Sequence, residues 1–360
     1  MAKILRYFMG ANTPQGFVSR FDEMGDRRGG WRLTVLKGGP GTGKSTLMHR
    51  LSDAMARRSE VIEEIHCSSD ADSLDGVIFP RHRLAIADGT PPHAIEPRYP
   101  GAYENIVSLC GCWDKDRLFA CRGRIFDLTD RIALCHKESV SYLYGADALL
   151  GEVRAIAAKA SSREKILRLA QRLAKNEIPR GEGAGTETIR LLSAVTNKGT
   201  VCFTDTVAAL APRLYVIDDP WGFAAPELLA QLRRLLLEAG HDVVTCVCPM
   251  APFTRIDHLL APGLGLGFVT RNKFHLVDLP AYRVIHARRF ADMEQLAGHK
   301  MRIKFLHRAA QNMLEQASAR IAAAKVLHDD LEACFKDAMD YGQVEGVTGE
   351  VIAQFLKDSQ

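Results

Sequence analysis

Gly38-Gly39-Pro40-Gly41-Thr42-Gly43-Lys44-Ser45-Thr46 fills every position of the pattern G-x-x-x-x-G-K-[ST]. This is a loop for nucleoside triphosphate phosphates. Glycines let backbone N–H groups approach phosphate oxygens that a Cβ would keep away, and the positive end of the following helix adds to the anion site. In this reading Lys44 reaches the β and γ phosphates, Ser45 gives its hydroxyl to Mg²⁺, and Thr46 extends the first turn toward the α phosphate. The flanks fit. Arg32-Leu33-Thr34-Val35-Leu36 alternates as a short strand, and Leu47, Met48, Leu51 and Met55 fall on one helical face. Strand, loop and helix in that order predict an α/β fold with a parallel sheet flanked by helices.

A site of this kind also needs a metal-associated acid at the end of an apolar strand. Leu84-Ala85-Ile86-Ala87-Asp88 has that form, and the following Gly89-Thr90-Pro91-Pro92 reads as a loop at the carboxyl end of the sheet. Asp88 is therefore the candidate second metal residue beside Ser45, with a turn or cap role as the alternative. The group that orients an attacking water is less legible. His66-Cys67-Ser68-Ser69-Asp70-Ala71-Asp72 also lies after a strand, and Asp70 and Asp72 are candidates to position water or a second substrate, or else turn and cap residues. Asp70 joins Lys44 and Asp88 as the catalytic candidates.

The chain repeats itself. At a constant offset of 181 residues Arg32, Leu33, Val35, Gly41, Leu47, Leu51 and Cys67 match Arg213, Leu214, Val216, Gly222, Leu228, Leu232 and Cys248. Small shifts extend the match to Thr13-Pro14-Gln15-Gly16 with Thr196-Asn197-Lys198-Gly199, and to His93 with His275. In the second copy Gly43, Lys44 and Ser45 become Ala224, Ala225 and Pro226, Asp88 becomes Val269 or Thr270, and Asp218-Asp219 stand at the mouth of the loop. Two carboxylates without a lysine repel phosphate. The second copy is thus read as a degenerate loop that binds no triphosphate in the usual way.

The 360 residues, 47% hydrophobic and 25% charged, suit a globular protein of about two domains. A net charge of +4 without a basic run gives no footprint for nucleic acid, and no stretch approaches the length of a membrane span. With no secretory signal the expected location is the cytoplasm, and a protein partner or self-association stays open. Nine cysteines, with close pairs Cys110/Cys112 and Cys246/Cys248, read as reduced thiols rather than zinc ligands. Asp114 to Lys175 and Ala291 to Tyr341 are helix-forming stretches, read as hairpins attached to each core, and the Gly/Pro-rich segment from Glu177 to Gly185 is the expected linker or a loop beside it. This divides the chain into 1–178, with the intact loop, and 179–360, with the degenerate one.

Gly16-Phe17-Val18-Ser19, Lys37 to Leu47, His66 to Asp70, Asp75-Gly76-Val77-Ile78, and Asp88-Gly89-Thr90 with Pro97-Arg98-Tyr99-Pro100-Gly101 together resemble a family of uncharacterised bacterial predicted ATPases with two tandem P-loop domains, within the P-loop NTPase superfamily. The resemblance implies two tandem α/β domains that bind ATP or another triphosphate with Mg²⁺. Members of that family carry a lysine in the second loop as well, and this chain departs there. The expected activity is slow ATP hydrolysis at the first loop, with the second half regulatory or docking. A small-molecule or nucleotide kinase and a non-enzymatic nucleotide switch are the rivals.

Overall fold

The computed structural model describes residues 2–91 and 94–359, and within them the chain is α/β with two six-stranded sheets. His93 lies outside the described residues. The first copy runs β1 (Lys3–Phe8), β2 (Gly10–Thr13), β3 (Gly16–Ser19), β4 (Arg32–Lys37), α1 (Lys44–Met55), β5 (Val61–His66), β6 (Leu74–Phe79), β7 (Leu84–Asp88) and β8 (Glu104–Ser108). Three helices follow: α2 (Lys115–Ala120), α3 (Arg122–Lys159) and α4 (Arg163–Glu177). The second copy runs β9 (Glu187–Arg190), β10 (Ser193–Thr196), β11 (Gly199–Cys202), α5 (Thr204–Leu210), β12 (Arg213–Asp218), α6 (Ala224–Glu238), β13 (Val243–Val247), β14 (Ile256–Ala261), β15 (Leu266–Arg271) and β16 (Arg283–His286). It closes with α7 (Met293–Gly298), α8 (Lys300–Lys336) and α9 (Tyr341–Asp358).

Strand order in the first sheet is β1-β5-β6-β7-β4-β8, and the second sheet, read from its β9 edge, is β9-β13-β14-β15-β12-β16. The two sheets have one topology. The likeness extends to detail: each has a register shift in its second strand, between Ile65 and His66 and between Cys246 and Val247. Thr13 and Thr196 each bond the carbonyl three residues on, at 2.8 and 2.9 Å. Pairing of Leu36 with Asp88 and of Ile217 with Thr270 makes Thr270 the counterpart of Asp88.

The sheets are mixed, which corrects the expected parallel arrangement. β6 runs antiparallel to β5 and β7, and β14 does the same in the second sheet. The physical reason is connection length. A parallel neighbour needs a crossover of a dozen or more residues, whereas the loop 67–73 and the 3₁₀ turn Pro80–His82 allow only hairpin returns.

The long helices decide how the copies join. At about 1.5 Å per residue α3 and α8 each span more than 50 Å, enough to run from one sheet to the other. They pack antiparallel, with Leu143 and Ala146 against Leu314, Ala317 and Ile321, and with ion pairs Glu152–Arg302 and Glu138–Arg320. The helices beyond them therefore land on the opposite copy. Ile166, Leu169, Ala170 and Leu173 of α4 pack into the second core against Leu228, Leu229, Leu232 and Leu236 of α6. Val351 and Phe355 of α9 pack into the first core against Leu47, Met48, Leu51 and Met55 of α1. The helical hairpins expected on their own cores are in fact exchanged, so the packing units interlock.

A common inner core completes the union. Tyr7, Phe8, Leu33, Val35 and Ile65 share one cluster with Leu191, Phe203, Leu214, Val216 and Val269. Phe8 and Leu191 exchange backbone hydrogen bonds at 2.8 and 3.2 Å, and a buried Arg190–Glu63 ion pair at 2.8 Å crosses the same seam. The Gly/Pro segment is tied down, with Gly181 N–H donating to Ala239 O at 2.7 Å and Gly185 N–H to Leu237 O at 3.1 Å. All nine cysteines are free thiols, and Cys246 and Cys248 are buried. Among the described residues no helix is long and apolar enough to cross a membrane.

Candidate functional site

β4 ends at Lys37 and α1 begins at Lys44, so the glycine loop bridges the carboxyl end of a sheet strand and a helix N-terminus. Gly41 and Gly43 take φ of +68° and +88°, values that side chains resist. Lys44 folds back over the loop and donates to the carbonyls of Gly38 and Gly39, both at 2.8 Å. Its ammonium also stands 3.6 Å from Asp88, whose strand lies directly beside β4. Burial pushes the Asp88 carboxyl above its ordinary range, against the pull of Lys44 and of hydrogen bonds from Thr90. Ser45 Oγ accepts from Leu74 N–H at 3.0 Å, which ties α1 to the start of β6. Among the described residues no side chain accepts from the amides of Gly41, Gly43 or Lys44.

Above the loop is a cavity of about 690 Å³, bordered by Gly38 to Thr46, Asp70, Asp75, Asp88 and Thr90. Lys44, Ser45, Asp70 and Asp88 are thus brought to one space. Asp72 is not, because it pairs at the surface with Lys198. The roof comes from elsewhere in the chain: Ile132 and His136 of α3, Lys325, His328, Glu332 and Lys336 of α8, and Tyr341 of α9. α8 lies so close to the loop that a Cβ on Gly39 would sit 2.5 Å from the Phe335 ring, and one on Gly41 would sit 3.0 Å from Glu332 O. These glycines are needed for helix packing. Lys325 Nζ is 3.4 Å from Asp70 and also pairs with Asp329. Burial pulls its pKa down, but Asp329 and Asp70 hold the ammonium above its ordinary value.

These roof residues were not singled out from sequence. Cations spaced along a long amphipathic helix read as a solvated face, and only the antiparallel α3–α8 packing turns them over the first loop. The segment Ala324 to His328 does repeat Ala146 to Leu150, which signals equivalent helices without signalling a site. Arg255 stands away from the first loop, donating to Cys248 Sγ at 2.8 Å and lying 3.9 Å from Asp147 of α3.

The degenerate loop keeps the turn at Gly222, φ +69° against +68° at Gly41, but α6 begins one residue earlier, at Ala224, and the loop has a different occupant. Asp219, at the position of Gly38, is fully buried and accepts from Trp221 N–H at 3.2 Å, Gly222 N–H at 3.1 Å and Ala225 N–H at 2.8 Å. The amides of this loop are satisfied by the chain's own carboxylate. Sequence reading made Asp219 a repelling charge, and its position inside the loop makes it a built-in anion. Asp218 turns outward to His286, 2.9 Å away. Asp219→Ala is expected to strand three amides at a cost of about 3 kcal/mol or more, which calorimetry would read as a melting point several degrees lower.

Beside that loop a buried group holds Asp257, His258 and His275, with His275 Nε2 3.2 Å from Asp257. Burial alone would raise Asp257, but His275 and Arg255 hold it well below the usual carboxylate range. Burial lowers His258 to about 3. An unfolded histidine takes its proton near 6.5, so above that pH the ring is neutral in both states and contributes nothing. As pH falls from about 6.5 toward 3 the unfolded chain binds the proton and the folded chain does not, so stability is lost across that window. Urea midpoints are expected to drop between pH 6.5 and pH 4, less steeply in His258→Gln. Equal slopes in the two proteins would exclude this ring as the cause.

No family model, no curated protein and no solved structure matches the chain. Among the described residues no group of three or more His, Cys, Asp or Glu side chains is placed to hold a metal ion.

Proposed function

We propose that the chain is a Mg²⁺-dependent ATPase of the P-loop NTPase superfamily, in which the N-terminal copy binds and slowly hydrolyses ATP. The C-terminal copy is then a non-hydrolytic regulatory or docking partner. The observation that carries this is the uncapped glycine loop with Lys44 and Asp88 3.6 Å apart, opening on a cavity of about 690 Å³, within the range of small-ligand sites. The second loop makes the contrast, since its amides are taken by Asp219.

In this reading the loop amides and Lys44 stabilise charge on the transferring phosphoryl group, replacing the carbonyls of Gly38 and Gly39 as partners of the ammonium. Mg²⁺ bound through Ser45 and Asp88 would neutralise part of the phosphate charge. Asp70 accepts a proton from the attacking water once Lys325 turns from it to phosphate, so water adds to phosphorus, the bond to the ADP oxygen breaks, and ADP leaves with inorganic phosphate. Calorimetry of ATP binding together with Mg²⁺-dependent phosphate release tests the reading. Steady release without any acceptor supports hydrolysis, whereas release only with an added metabolite supports a kinase. GTP in parallel tests base preference.

A nucleotide switch is the second reading, favoured by α3 and α8 each bordering the cavities of both copies. It predicts tight binding, negligible turnover, and ATP-dependent protease cleavage near Gly181 to Gly185.

A further inference from the structure

The C-terminal copy keeps a cavity of its own over the self-capped loop, of about 80 Å³. That is far below what a nucleotide requires. Its walls combine apolar side chains, Trp221 among them, with Arg154, Arg255, Asp257, Thr270 and His275. Arg154 comes from α3, the helix that also roofs the N-terminal cavity.

Two guanidinium groups line this space together with the Asp257 carboxylate, whose Oδ2 is buried and makes no hydrogen bond. Arg154 donates to Asp147 Oδ1 at 2.9 Å, and Arg255 lies 3.9 Å from the same oxygen, so two guanidinium groups share one carboxylate. Arg255 Nη2 otherwise donates to Cys248 sulfur, a weak acceptor. Thr270 Oγ1 and His275 Nδ1 are buried without hydrogen-bond partners, and both residues border the cavity. Asp257 and Asp147 are the carboxylates nearby; Asp147 pairs with Arg154, and Asp257 stands 3.2 Å from His275. Burial and the nearby Arg255 charge act against the ionised form of Arg154, whereas Cys248, Asp257 and Asp147 outweigh burial and favour the ionised form of Arg255.

We propose that this cavity binds a small oxyanion of phosphate size, held by Arg154, Arg255 and Thr270. A cation would meet two guanidinium groups, and an apolar ligand would leave buried donors unpaired. Because the loop amides are taken by Asp219, the anion is held instead by Thr270 at the carboxyl end of β15, by Arg255 in the loop before β14 and by Arg154 of α3. The inference does not depend on ATP binding in the N-terminal cavity. It gives the second copy a ligand of its own, sensed by a helix common to both cavities.

Titration calorimetry with inorganic phosphate tests it, using Lys44→Ala to weaken anion binding at the first loop. That variant is expected to bind one phosphate per chain, displaced by sulfate. Adding Thr270→Val, which keeps shape and removes the hydroxyl, is expected to weaken binding about tenfold. Adding Arg154→Gln is expected to weaken it a hundredfold or more. Circular dichroism and melting without phosphate check that both variants fold. The proposal is overturned if Lys44→Ala binds no phosphate at millimolar concentration, if folded Thr270→Val and Arg154→Gln chains bind as tightly as their parent, or if acetate binds and phosphate does not.

Discussion

Deleting residues 341–358 is expected to unfold the N-terminal sheet, although no strand of it is touched. α9 is the outer layer of the first core. Phe355 is buried and lies edge-on to Phe79 with ring centroids 5.8 Å apart, and Val351 is buried beside it. Phe355→Ala alone is expected to cost about 3–5 kcal/mol, a large part of the margin that holds an ordinary domain folded. The deletion also removes Tyr341, whose hydroxyl donates to Gly41 O at 3.2 Å, so the loop loses a support together with its sheet. Hydrogen exchange of peptides covering 61–88 reads the effect directly. Unchanged protection there after the deletion would show that α9 is dispensable to the first core.

Lys44→Ala is expected to lower ATP affinity about a hundredfold or more, equivalent to roughly 3 kcal/mol for a buried charge-assisted contact. Lys325→Ala should behave differently. Its ammonium faces the cavity from the other copy and is held by Asp70 and Asp329, so its loss is expected to cut turnover about a hundredfold while affinity changes less than tenfold. Calorimetry and steady-state phosphate release separate the two. An Lys44→Ala chain that binds ATP normally would remove the basis of the proposed function. An Lys325→Ala chain with full turnover would confine α8 to a structural role.

The way these two lysines become visible differs, and the difference is physical. Lys44 belongs to a contiguous run whose spacing already implies strand, loop and helix, and the structure has β4, the loop and α1 at those positions. Asp88 could be placed beside it because an apolar strand ending in an acid carries its own direction. Lys325 has no such local mark. It lies nearly 300 residues from the loop, on a helix whose first turn packs near the other sheet, and only the length and antiparallel pairing of α3 and α8 carry it over Lys44.

The same division runs through the fold. Two copies at an offset of 181 residues, their loops, and the loss of lysine, hydroxyl and acid from the second were legible as patterns, because period and residue type are local properties. Strand direction was not, since apolar alternation is identical for parallel and antiparallel neighbours and only the short connections to β6 and β14 decide it. Helix exchange was not, because the apolar stripes of α4 and α9 state that one face must be buried without stating against which core. The sequence by its own spacing determined the loop, the repeat and the erosion of one copy. Tertiary structure decided which helix covers which sheet, which lysines face the cavity, and that Asp219 enters the second loop as its anion. Those outcomes depend on contacts between segments far apart in the chain, where burial selects among partners that local pattern leaves equivalent.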